Sequence, residues 1–138
     1  MGGSYGLGPI QEIVEELISL RPAVQILVVT GINKGLYKEL SAYQTYKHVK
    51  IYGYTRLIPL LMDAADLLIT KPGGITAAEA LVKKLPMILI NPIPGQEERN
   101  ARYLLKNRVA IQVRKIKDLK ATVTHLLTHP AKLRLISE

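Results

Sequence analysis

Five short apolar runs alternate with helix-like segments along this chain, and no hairpin turn interrupts the series. The runs lie at residues 24–30, 49–52, 67–70, 86–90 and 109–113. A strand followed by a helix must cross over before the next strand can join its sheet. Neighbouring strands are therefore expected to run parallel, with right-handed connections and helices on both faces. Strands covered on both sides read as continuous aliphatic runs rather than as alternating ones. The chain has no Phe and no Trp, so Leu, Ile and Val must fill its interior. With 48% hydrophobic residues in 138, it has the material for one domain with a sizeable core.

The helices are read from periodicity and punctuation. Pro9 opens a first one, with Ile10, Ile13, Val14, Leu17 and Ile18 on one face, and Arg21 and Pro22 end it. Gly31 marks a turn and Asn33 a cap before a helix carrying Leu36, Tyr37, Leu40 and Tyr43. Residues 57–65, 76–83, 96–106 and 116–127 supply further helices, and Pro130 opens a last short one.

In open parallel sheets, ligands bind beyond the carboxyl ends of the strands. Three chemically suggestive loops follow strands here: residues 71–76, residues 91–97, and the glycine-rich residues 2–8. The last would follow a strand upstream of Met1, so the chain reads as part of a longer protein. All three loops are expected on one edge.

The most specific of them is Lys71-Pro72-Gly73-Gly74-Ile75-Thr76 with Glu79. Paired glycines between a strand and a helix present backbone N–H groups at the positive end of a helix dipole, an arrangement suited to phosphate. Thr76 could cap the helix or donate to phosphate. Glu79, one turn on, could accept hydrogen bonds from a ribose diol. In the loop at 91–97, Pro92 and Pro94 stiffen the approach to a polar helix start. Gln96, Glu97 and Asn100 there suit vicinal sugar hydroxyls; a solvated first turn favoured by the dipole is the alternative. Gly2, Gly3, Ser4, Gly6 and Gly8 do not form the dinucleotide fingerprint, and Gly31 to Gly35 lacks the Gly-Lys-Ser/Thr ending of a P-loop. A backbone approach to a diphosphate, with Ser4 as donor, and a plain turn into a helix both remain open for residues 2–8.

Other chemistries find little support. The chain has no Cys, which removes disulfides, thiolate metal sites and Cys nucleophiles. His125 and His129 have metal-compatible spacing, but Pro130 follows at once and no acidic partner is near, so they read as surface histidines at a helix end. No cofactor or metal is expected. No apolar run approaches the roughly 20 residues that span a bilayer, and the glycine-rich start does not read as a signal peptide. The net charge is +8, from 19 Lys and Arg against 11 Asp and Glu. Ordinary surface lysines and a basic surface for anionic partners (nucleotides, nucleic acid or the acidic headgroups of an anionic membrane surface) account for it equally; nothing resembles an Arg-rich arm or an aromatic-basic nucleic-acid face.

The stretch at residues 65–80, with the one at residues 92–101, resembles the C-terminal half of a GT-B glycosyltransferase of family 28. The likeness runs from Gly2 to about Val113. The Pro-x-Pro-Gly-Gln-Glu loop ending at Glu97 is most similar to the diacylglycerol galactosyl- and glucosyltransferases of the monogalactosyldiacylglycerol synthase kind. The peptidoglycan branch usually carries a Gln-Gln pair there. The resemblance implies an α/β fold, a Rossmann-like parallel sheet with helices on both faces and its first strand truncated. It implies that Gly3, Ser4, Lys71, Gly73, Gly74, Ile75 and Thr76 bind the donor diphosphate. Tyr54 and Thr55 would border the uracil, largely through backbone, and Glu79 would take the ribose. Gly95, Gln96, Glu97 and Asn100 would hold the donor sugar. Lys71 stands where the peptidoglycan branch has an Arg.

The family's acceptor site and general base lie in an N-terminal domain outside this sequence. The expectation is therefore a donor domain, residues 1–138, that binds UDP-galactose or UDP-glucose and does not turn over unaided. The intact protein would be an inverting hexosyltransferase acting on a lipid, with diacylglycerol as acceptor, associated with the cytoplasmic side of a membrane. A polyprenyl-linked or other acceptor is the first alternative, and a non-catalytic nucleotide-sugar module the second.

Overall fold

The computed structural model describes residues 9–20, 24–90 and 95–137. The chain divides into two compact units, Met1–Arg56 and Leu57–Glu138. The loop at 2–8, with Gly3 and Ser4, and the prolines at 92 and 94 lie outside the described residues.

The first unit contains α1 (Ile10–Ile18), β1 (Ile26–Val29), α2 (Lys34–Leu40), a 3-10 turn (Ser41–Thr45) and β2 (Val49–Tyr52). The two strands pair in parallel, Ile26 opposite Val49 and Val29 opposite Tyr52. α1 buries Ile10, Ile13, Val14 and Leu17 of the stripe read from the sequence, and leaves Ile18, at its end, half-buried. Asn33 caps α2 as expected: its side-chain oxygen accepts from the Leu36 N–H at 3.0 Å. The ladder continues one residue past β1, where the Thr30 N–H donates to the Tyr52 carbonyl at 2.9 Å. The Thr30 hydroxyl donates to the same oxygen at 3.2 Å, so this buried hydroxyl is satisfied.

The second unit runs α3 (Ile58–Ala64), β3 (Leu68–Thr70), α4 (Gly74–Val82), β4 (Met87–Leu89), α5 (Gln96–Lys106), β5 (Ala110–Gln112), a 3-10 turn (Ile116–Asp118), α6 (Leu119–Thr128) and α7 (Pro130–Ser137). Its strands form a parallel sheet in the order β3-β4-β5. Met87, Ile88 and Leu89 of the middle strand are 0% exposed. Burial on both faces explains why this run carries no polar residue. Leu104 of α5 and Leu119 and Leu126 of α6 are also fully buried.

Two helix endings were not legible as such. α4 and α5 each stop with a residue in the left-handed region, Lys84 at φ 53° and Arg108 at φ 59°. In each case the next residue reaches back to the last turn, Leu85 N–H to Ala80 O at 2.9 Å and Val109 N–H to Leu104 O at 3.2 Å. This is the Schellman closure, usually built with glycine. It satisfies helix carbonyls and turns the chain into the following strand.

Candidate functional site

The expected phosphate turn is open. Neither Gly73 nor Gly74 has a positive φ, and a Cβ built on either would meet nothing within 4 Å. Gly73 is the N-cap of α4, at φ −72° and ψ 143°, and no side chain caps that helix end. The helix therefore starts at Gly74, two residues earlier than periodicity suggests. That places Thr76 inside the first turn and removes it as the cap. The first backbone bond reaching back across the turn runs from the Ala77 N–H to Gly73 O at 3.0 Å. The amides of Gly74, Ile75 and Thr76 precede that bond at the positive end of a nine-residue helix. Ile75 is 79% exposed, which keeps the approach to them clear of packed neighbours.

Glu79 lies one turn along α4 from Ile75 and Thr76, at the spacing that puts side chains on a common face. It is half-buried, and among the described residues no hydrogen bond or ion pair engages its carboxylate.

The second unit brings the start of α5 against this turn. The Lys71 ammonium lies 3.3 Å from the Glu97 carboxylate, with both side chains mostly withdrawn from solvent. The Asn100 side-chain amide donates to the carbonyl of Pro72 at 2.9 Å. Gln96 donates to the Asn100 oxygen at 3.0 Å, and Arg99 donates to the Gln96 oxygen at 2.9 Å. Gly95 caps α5 at φ 99° and ψ −116°, a backbone that strongly favours glycine. Lys71 and Pro72 thus meet Glu97 and Asn100.

The hydrogen-bond chain Arg99–Gln96–Asn100–Pro72 goes beyond what the sequence pattern implies. The i, i+3 spacing of Gln96 and Arg99 could have suggested its first link. The last joins residues 28 apart and depends on strand order. Tyr54 and Thr55 follow β2 in the first unit; Tyr54 is 72% exposed and Thr55 half-buried. The histidines of α6 and its end face each other, with ring centroids 4.3 Å apart. The Lys132 ammonium lies 2.9 Å from His125 Nε2, where a metal would need a lone pair, and its charge pushes the His125 pKa down.

Comparison with known proteins bears on what this arrangement serves. The model of the glycosyltransferase family 28 C-terminal domain matches residues 1–135. The chain belongs to glycosyltransferase family 28. Relatives of this family 28 domain include a processive diacylglycerol beta-glucosyltransferase of Bacillus cereus strain G9842, 36% identical over 141 residues. That alignment covers 100% of the chain and 36% of the relative. A processive diacylglycerol beta-glucosyltransferase of Staphylococcus saprophyticus is 36% identical over 138 residues, covering 99% of the chain and 34% of the relative. The family 28 domain thus spans about a third of the length of these relatives. A solved structure, the glycotransferase of kitacinnamycin, superposes with a TM-score of 0.74 at 18% identity, over 99% of this chain and 36% of that one. The fold is thus the Rossmann-like α/β arrangement of parallel strands and helices expected for the C-terminal half of a GT-B glycosyltransferase.

Proposed function

We propose that residues 1–138 form the donor-binding domain of an inverting hexosyltransferase, which carries a sugar from UDP to a lipid hydroxyl. The observation that carries this reading is the meeting of the uncapped start of α4 with the polar first turn of α5, tied by Lys71–Glu97 and Asn100–Pro72. Diacylglycerol is the favoured acceptor, and UDP-glucose is favoured over UDP-galactose, from the names of the relatives. The acceptor site and general base are assigned to a further, N-terminal domain. On this reading residues 1–138 bind donor but do not turn over alone.

The roles follow from the local chemistry. Amides of Gly74, Ile75 and Thr76, with the Lys71 charge, hold the diphosphate, joined by Gly3 and Ser4. As the sugar leaves, negative charge grows on the β-phosphate, and donors fixed beforehand stabilise it without reorganising. Glu79 takes the ribose hydroxyls, and Tyr54 and Thr55 border the uracil. Gln96 and Glu97, presented by the Gly95 turn, take the sugar hydroxyls. A base in the acceptor domain removes the proton from the attacking hydroxyl.

The intact protein is read as peripheral to the cytoplasmic face of a membrane, its positive charge attracted to anionic lipid. Among the described residues no helix is long and apolar enough to cross a membrane. Isothermal titration with UDP tests the central assignment. Saturable binding supports it, and a folded protein that takes up no heat at millimolar UDP overturns it.

A further inference from the structure

We infer that Asn100 is a positioning residue for the phosphate turn rather than a ligand of the donor sugar, an inference that rests on the donor-binding reading above. Its side chain is already committed at both ends. One amide hydrogen goes to Pro72 O at 2.9 Å, and its oxygen accepts from Gln96 at 3.0 Å. An Asn amide has two hydrogens and one oxygen to offer, so the group that would read a hydroxyl through its oxygen is half spent. Asn100 is also half-buried, on the side of α5 that meets the turn.

The carbonyl it holds has a particular place in the chain. Pro72 is fully buried at the corner between β3 and α4. Its oxygen is four residues before Thr76, which makes it the natural acceptor for the Thr76 N–H if α4 were to extend backwards. In this structure that extension stops one residue short: the first such bond is Ala77 N–H to Gly73 O, and the Pro72 oxygen takes the Asn100 amide instead. Gly73, the joint between the two, is in an extended conformation, at ψ 143°. Asn100 therefore draws the carbonyl away from the helix axis and leaves the Thr76 amide able to face a phosphate oxygen. Without that bond, a small rotation about Gly73 lets the helix consume its own donor.

The test uses the full-length protein, with Asn100→Ala and Asn100→Leu. Both are neutral, and the Leu variant keeps most of the volume the Ala variant removes. Thermal melts establish that each is folded. The expected result is that UDP and UDP-glucose lose affinity by the same factor, about three- to tenfold for the loss of one hydrogen bond's worth of positioning. Hydrogen exchange at the Thr76 amide, measured without nucleotide, is expected to slow in both variants as the helix closes on Pro72 O. Unchanged UDP affinity with weakened UDP-glucose makes Asn100 a sugar ligand and overturns the inference. Unchanged Thr76 exchange overturns it as well. If the parent protein binds no UDP, the donor-binding reading fails, and the exchange measurement alone still decides whether Asn100 governs the turn.

Discussion

Lys71 and Glu97 face each other at 3.3 Å across the two loops that leave neighbouring strands β3 and β4. The ammonium belongs to the loop assigned to the diphosphate, and the carboxylate to the turn assigned to the sugar. Each charge therefore tempers the other. Removing Glu97 leaves the full ammonium to the diphosphate and removes an acceptor from the sugar. Glu97→Gln is thus expected to tighten UDP by up to about fivefold, the scale of a partly exposed ion pair. It is expected to weaken UDP-glucose by about 1–2 kcal/mol. Paired titrations check the opposite signs; changes in the same direction refute this division of labour.

No hydrogen bond or ion pair engages the Glu79 carboxylate among the described residues, so its substitution chiefly reads what that carboxylate does for a ligand. Glu79→Ala should cost about 1.5–3 kcal/mol of UDP affinity, the worth of a hydrogen bond to a charged group. Gln96→Ala should spare UDP and weaken UDP-glucose. If neither variant changes either affinity in calorimetry, the placement of the donor is wrong.

Gly74 separates folding from binding. Its φ is not positive and an added Cβ meets open space, so the fold itself has no need of glycine there. Alanine is the better helix former, and Gly74→Ala should raise stability by up to about 1 kcal/mol in urea unfolding. The methyl group would stand beside the amides assigned to the diphosphate, so UDP affinity should fall in the same protein. A stabilised variant with undiminished UDP binding would place the phosphate elsewhere.

The two Schellman endings carry strain that glycine relieves. A left-handed backbone costs a non-glycine residue about 1–2 kcal/mol, part of which glycine loses again through its freer unfolded chain. Lys84→Gly and Arg108→Gly should each stabilise the protein by roughly 0.5–1 kcal/mol, read as an upward shift in Tm. A drop in Tm would mean that the cationic side chains contribute more to those helix ends than the backbone strain removes.

Ile88 tests the centre of the sheet. It is wholly buried in the middle strand. Ile88→Ala should cost about 2–5 kcal/mol through lost contact and the cavity left behind, measured by denaturant unfolding.

Much of this architecture was legible along the chain. The apolar runs located every described strand: β4 is apolar at successive positions because both its faces are covered, while β2 alternates, with Lys50 exposed between buried Val49 and Ile51. The edges were less legible. The run at 24–30 yields a strand of only Ile26–Val29, since hydrogen bonding rather than hydropathy ends a strand. The helix after Gly73 begins at Gly74, because a glycine with ordinary dihedrals can enter a helix as readily as leave one. Within the candidate site, Gln96, Glu97 and Asn100 read as three equivalent hydrogen-bonding groups. The fold distinguishes them: Glu97 answers Lys71, Asn100 answers the Pro72 carbonyl, and Gln96 is held between Arg99 and Asn100. Those pairings depend on β3 and β4 being neighbours, which no local pattern encodes.

That adjacency works as a ruler. On the donor-binding reading proposed above, the loops assigned to nucleotide and sugar leave strands held about 4.8 Å apart by the sheet's own hydrogen bonds, so backbone spacing sets how far apart the two ends start. On that same reading, side chains on the first turn of α5 can be exchanged to suit a different hexose while the grip on the nucleotide keeps its measure.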